Sequence, residues 1–142
     1  MLEVKQIKNG IVIDHIKSGN GLKIFNKLEL YKANSPVVLL MNVESNLLGK
    51  KDIIKIADTF DVDLNLLGLI DENISINFIK DGKVIDKKKV VTPKEVKGLI
   101  KCKNPRCITN SDDYVKPTFV LVSKEKFEYK CDFCDEITRY KL

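Results

Sequence analysis

At 142 residues the chain is long enough for one domain or two small ones, and its 44% hydrophobic content supports a real core. The formal charge of +5, from 25 basic and 20 acidic residues, is modest and dispersed, so it does not call for a nucleic acid or a membrane surface. No run approaches the roughly 18 apolar residues of a membrane span, and the lysine-rich start lacks an apolar signal segment, so a cytoplasmic protein with reduced thiols is expected.

Residues 4–8 and 10–16 read as extended, punctuated by Asn9-Gly10, with β-branching in Val4 and Ile11-Val12-Ile13 favouring strand. Ser18-Gly19-Asn20-Gly21 breaks the chain and can cap a helix whose apolar spacing is Leu22, Phe25, Leu28 (or Leu30) and Tyr31. Asn34-Ser35-Pro36 ends that helix. The apolar run Val37 to Val43 reads as an interior strand, because it is apolar on both faces. Lys51 to Ala57 satisfies a helix and a strand equally well and stays open on periodicity alone. Asp61 to Leu69 reads as a short helix with an acidic first turn, packed through Val62, Leu66 and Leu69. Ile74 to Ile79 and Val84 to Val91 form a hairpin around Asp81-Gly82. Lys94 to Leu99 reads as a linker or helical turn, and Phe119–Val122 and Phe127–Lys130 as two further strands. If Lys51 to Ala57 is extended, the first part of the chain is a split βαβ arrangement with an added edge strand. Two helices then cover one sheet face and leave the other open.

The only four cysteines stand as Cys102-x4-Cys107 and, after 23 residues, Cys131-x2-Cys134. Two turns each presenting two sulfurs suit one tetrahedral Zn²⁺, and four thiolates close its coordination, so the ion is structural rather than catalytic. The alternatives are disulfide pairing, disfavoured by a reducing compartment, and a catalytic or iron–sulfur site. The segment around them has little apolar material, so the metal should supply much of its folding energy.

Alternation places Val12 and Asp14 on one face and Ile11, Ile13 and His15 on the other. Asp14, Lys55 and Asn77 can then converge on the open face, an acceptor, a cation and an amide suited to a ligand with anionic and amide-like edges. The bland alternative is a solvated sheet with nothing bound. Lone His15 has no nucleophile near it in sequence, Asp61 and Asp63 are explained by a helix start, and Lys87-Lys88-Lys89 by a wet strand end. No base, nucleophile and oxyanion donor assemble, which disfavours an enzyme.

Gly10-Ile-Val-Ile-Asp-His-Ile16, Leu48-Gly-Lys-Lys-Asp-Ile-Ile-Lys-Ile56 and the two cysteine pairs occur in an order and spacing that resembles the regulatory chain of aspartate carbamoyltransferase over essentially the whole length. The resemblance implies an α+β fold: residues 1–94 as a ferredoxin-like nucleotide-effector domain with a five-stranded antiparallel sheet and two helices, and residues 95–142 as a small β-rich zinc domain contacting the catalytic chain. It favours the extended reading of Lys51 to Ala57. It implies a non-catalytic, allosteric subunit, with CTP inhibiting, ATP competing and activating, and UTP reinforcing CTP. Regulatory dimers bridge catalytic trimers in a complex of six chains of each kind, acting in pyrimidine synthesis, with no membrane or nucleic acid involved. Carried over by position, the effector pocket is Gln6, Ile7, Val12, Asp14, His15, Lys55, Asn77, Ile79, Val84 and Lys87, and the zinc ligands are Cys102, Cys107, Cys131 and Cys134. Two departures stand out. Gly82 replaces an aromatic residue in the hairpin, and Arg106 replaces an asparagine beside the retained Asn104. A competing reading is a nucleic-acid-binding zinc module, which would need Phe119, Phe127 and Phe133 exposed beside basic residues.

Overall fold

The computed structural model describes residues 6–59 and 61–140. The chain divides into two compact units, Met1–Val91 and Thr92–Leu142. Residues 92–94 go with the second, where Pro93 O accepts from Tyr129 Oη and Lys94 O from the Leu121 amide.

The first unit runs β1 (Gly10–Lys17), α1 (Asn20–Lys27), β2 (Val37–Ser45), β3 (Gly49–Ala57), α2 (Leu64–Ile70), β4 (Ser75–Lys80) and β5 (Lys83–Lys89). Its strands form one antiparallel sheet in the order β2-β3-β1-β4-β5. This is the ferredoxin-like arrangement with β5 added at the edge, and the segment Lys51–Ala57 is extended. One face buries Ile11, Ile13, Ile16, Ile54, Ile56 and Ile76 beneath Ile24 of α1 and Leu66, Leu67, Leu69 and Ile70 of α2. Asp63 caps α2, accepting from the Leu66 amide at 3.1 Å, as an acid at a helix start should.

Three expectations need correction. Val37–Ser45 is an edge strand rather than an interior one. Its apolar character is therefore not spent on burial between two neighbours. Helix α1 buries Gly21 and Ile24, whereas Leu22 is 46% and Tyr31 62% exposed. The chosen face is set by Asp52 of β3, whose Oδ2 accepts from the amides of both Gly19 and Gly21 at 3.0 Å. A Cβ on Gly21 would stand 2.7 Å from that side chain, so only glycine lets the first turn come this close. The cap is thus supplied by a distant carboxylate, while Ser18 Oγ donates to Asn42 instead. Finally, Gln6–Lys8 carry no strand, although Lys8 O accepts from the Gly82 amide and Asn9 Oδ1 from the Asp81 amide, fastening them to the β4–β5 turn. Val4 and Lys5 lie outside the described residues.

The second unit is a four-stranded antiparallel sheet, β6 (Glu95–Lys97), β7 (Thr118–Ser123), β8 (Glu128–Cys131) and β9 (Ile137–Arg139), in that order. Part of the expected linker is therefore strand β6, paired to β7 from Glu95↔Val120 to Lys97↔Thr118. Its apolar core is small: Val96, Ile100, Phe119, Tyr129 and Tyr140 beside buried cysteines. Phe119 and Tyr140 meet at a centroid distance of 5.0 Å. Among the described residues no helix is long and apolar enough to cross a membrane.

Candidate metal centre and ligand-binding face

Cys102, Cys107, Cys131 and Cys134 bring their sulfurs within 4.8 Å of one another, the first three buried. Cys102–Cys134 and Cys107–Cys131 are each 3.7 Å apart. A tetrahedron with metal–sulfur bonds of about 2.3 Å has sulfur–sulfur edges near 3.8 Å, whereas a disulfide bond is about 2.05 Å. The donor set fits a dication and not a disulfide.

Each pair sits on a backbone turn built to aim it. In the first, the Cys107 amide donates to Asn104 O, the Arg106 amide to Asn104 Oδ1, and Asn110 Nδ2 to the carbonyls of Cys102 and Asn104 at 3.0 and 2.7 Å. In the second, the Asp135 amide donates to Cys131 O and the Cys131 amide to Glu136 O, with Asp135 at φ 63°. Asn104 therefore shapes the turn itself. Sequence reasoning missed Asn110, whose amide is one of many polar groups in a loop until the cysteines are closed on one another. Burial pushes the Cys102 thiol up to about 12 and raises Cys131, while the Thr109 hydroxyl at 3.1 Å draws Cys107 down to about 7. Four sulfurs packed within 4.8 Å of one another can all be thiolates together only beside a cation, which offsets their mutual repulsion. Of the aromatics a nucleic-acid module would need on its surface, Phe119 is fully buried and Phe127 half-buried, while Phe133 is exposed.

On the first unit, the face away from the helices carries a cross-strand row. Lys55 pairs with Val12, Val12 with Asn77, and Asn77 with Lys87, across β3, β1, β4 and β5. Directly paired residues project to the same side, so two lysines flank a valine and an amide. A cavity of about 260 Å³ on this unit is lined by Gln6, Ile7, Val12, Asp14, Ile53, Lys55, Ile79, Gly82 and Val84. Seven of the ten expected positions (Gln6, Ile7, Val12, Asp14, Lys55, Ile79 and Val84) line it. Asn77 and Lys87 extend the row beyond it, and His15 lies elsewhere on β1. Gly82 lies at φ 77° after Asp81 at φ 53° in the two-residue turn, a conformation that suits glycine, and a Cβ there would meet nothing within 4 Å.

His15 departs from simple alternation. The β1–β3 register shifts between Ile13 and Ile16, and His15 adopts φ 56°. This bulge lets Ile16 take the buried place that alternation assigns to His15. The His15 ring meets Ser75 Oγ at 2.7 Å, and Ser75 pairs with Asp14 on the open side. Asp14 is itself held by Lys51 at 3.0 Å, both side chains less than one-fifth exposed. Sequence reasoning missed Lys51 and Ser75, whose places depend on the bulge.

The family model described as aspartate carbamoyltransferase regulatory chain, allosteric domain, matches residues 2–91, and that described as the metal binding domain of the same chain matches residues 94–141. An aspartate carbamoyltransferase regulatory chain of Clostridium tetani is 56% identical, covering 100% of this chain and 98% of its own. Those of Clostridium acetobutylicum and Bifidobacterium longum are 51% and 42% identical, over 96% and 95% of this chain and 94% and 97% of theirs.

Proposed function

Because the chain belongs to the aspartate carbamoyltransferase regulatory chain family, and so to the regulatory rather than the catalytic partner, we propose that its first unit binds CTP and ATP on the open sheet face and its second grips the catalytic chain through a zinc-braced surface. The observation that carries the effector site is the row Lys55–Val12–Asn77–Lys87 beside the cavity. Lys55 and Lys87 have no ion-pair partner among the described residues, leaving two cations for phosphate oxygens and ribose. Asn77 and Asp14 supply an amide and an acceptor for ribose. The backbone near Gln6, Ile7 and Val84 reads the base edge, and the space over Gly82 leaves room for it.

Opposite effects of two ligands at one site require that they favour different geometries of that site. Purine and pyrimidine differ in reach from a shared phosphate anchor. They would therefore set β5, which carries Lys87 and leads into residue 92, in different positions. The zinc would hold Cys102, Cys107, Cys131 and Cys134 as thiolates and fix the turn bearing Asn104 and exposed Arg106. Pairing through the free edge of β2 would give regulatory dimers that bridge catalytic trimers, six chains of each kind, with UTP the least supported effector. A cytoplasmic setting keeps the thiols available to the metal.

The test is calorimetric binding of CTP and ATP to the zinc-loaded chain, with Lys55→Ala and Lys87→Ala. Each substitution should weaken binding about tenfold without unfolding the protein. Unchanged affinity in both would remove this face as the effector site. Co-purification with a catalytic chain, lost on chelation, tests the grip separately.

A further inference from the structure

The four cysteine sulfurs are alike as ligands but not as reactants. Cys102, Cys107 and Cys131 are at most 3% exposed, and only Cys134 is part-exposed. Cys107 is covered further by the Thr109 hydroxyl, 3.1 Å from its sulfur. Cys134 belongs to a turn on which Asp132, Phe133 and Asp135 are all exposed, so the turn itself faces water. A reagent in solution therefore meets one sulfur of the four. It must be small, since that sulfur is itself part-covered.

The sulfur that such a reagent meets has a partner. Cys102 Sγ lies 3.7 Å from Cys134 Sγ, on the other turn and 32 residues away in the chain. A bond between them would draw the two sulfurs together to about 2.05 Å. Cys102 moves only with its own turn, because Asn110 Nδ2 donates to the carbonyls of both Cys102 and Asn104 at 3.0 and 2.7 Å. Closure of this pair therefore disturbs the first turn as a whole. It also removes two thiolates, and Cys107 and Cys131 alone leave a tetrahedral dication half unligated.

We infer that Cys134 is an oxidation site, with Cys102 as its resolving thiol, through which a peroxide undoes the cross-link of the second unit. The Cys134 thiolate attacks one oxygen of hydrogen peroxide, the O–O bond breaks and hydroxide leaves, giving a sulfenic acid. The Cys102 thiolate then attacks that sulfur, the S–O bond breaks, and a second hydroxide leaves as the disulfide forms. The two sulfurs together give up two electrons. The peroxide is reduced to two hydroxides, which become water on taking up two protons. A dithiol reductant reverses the step. This rests on the metal reading above, since the same ion keeps both sulfurs deprotonated.

The experiment adds hydrogen peroxide to the zinc-loaded full chain, from below stoichiometric amounts upward. Zinc release is followed with a chromophoric chelator, and disulfides are mapped by peptide mass spectrometry after alkylation of the remaining thiols. About one zinc should leave per disulfide, with Cys102–Cys134 the first to form, and metal binding should return after dithiothreitol and fresh zinc. Cys134→Ser should slow peroxide-driven release about tenfold, measured against its own release without peroxide. If that variant does not load zinc, the mapping in wild type decides alone. Three results would overturn the oxidation site and leave the metal centre intact. They are a first disulfide between any other two cysteines, sulfinic acid at Cys134 in place of a disulfide, and zinc retained in excess peroxide. A full chain that holds no zinc before peroxide is added would overturn both readings together.

Discussion

The two units solve the same problem by different means. The first buries a full aliphatic layer, Ile11, Ile13, Ile16, Ile54 and Ile76 against Leu67, Leu69 and Ile70, all at most 1% exposed. The second also has a sheet, yet among its described residues the apolar core is five side chains, three of them aromatic, beside the cysteines. A core of that size stabilises a fold only marginally, so a cross-link must make up the difference. The metal is that cross-link, and it ties together two chain segments separated by 23 residues. One unit is therefore free to leave a sheet face uncovered, while the other commits its best side chains to staying folded.

The largest effect expected from breaking this contrast follows removal of the metal. Chelation, or Cys131→Ser, should collapse amide protection across β6–β9 and leave β1–β5 close to native in hydrogen-exchange mass spectrometry. Loss of protection in both units at once would mean that the first does not stand on its own core. Retention in both would mean that the thiols are not what holds the second.

A smaller effect, confined to the first unit, should come from Asp52. It is fully buried, and its two oxygens accept from the amides of Gly19, Gly21 and Asn42. This single carboxylate joins the start of α1 and the bulged edge strand β2 to β3. Asp52→Ala leaves three amides without acceptors, a cost of about 3 kcal/mol or more, read as a lower urea midpoint. Asp52→Asn keeps one acceptor oxygen and should recover part of it. A cost below about 1 kcal/mol would show that water replaces the carboxylate.

These two predictions also mark what could be read from the sequence. The cysteines were legible because tetrahedral chemistry fixes both residue type and spacing. Helix α2 and the β4–β5 hairpin were legible because their signals, Asp63 and Asp81-Gly82, are local. The face of α1 was not, because Leu22 and Phe25 are spaced as well as Gly21 and Ile24, and the choice depends on a carboxylate about thirty residues away. The side taken by His15 was not, because one extra residue in a strand reverses every face beyond it. Strands β6 and β9 have no legible signal in the sequence, and β6 reads as linker or helical turn, since three residues carry no period. Most of the open face is legible all the same, because the row through Val12, Asn77 and Lys87 lies before the shift in register on β1 and beyond the one between Val84 and Asp86 on β5, so no shift falls within it.

The smallest effect should come from Tyr129, where the two kinds of stabilisation in the second unit meet. Its side chain lies in the aromatic core, and its hydroxyl donates to Pro93 O at 2.6 Å, anchoring the beginning of the unit. Tyr129→Phe keeps the ring and removes the bond, leaving a carbonyl without its donor, at a cost of about 1 kcal/mol at neutral pH. Burial raises the Tyr129 hydroxyl from 10 to about 12 and also raises Tyr140. A folded-state value above the unfolded one means that the unfolded chain releases its proton first. Stability should thus be fully present below about pH 10 and decline as pH rises from there toward 12. Tyr129→Phe should start lower and lose less over that interval, with Tyr140 accounting for what remains. Denaturation followed at pH 8 and again near pH 11 would read both quantities. Parallel loss in wild type and variant would mean that the alkaline sensitivity of this unit does not come from Tyr129.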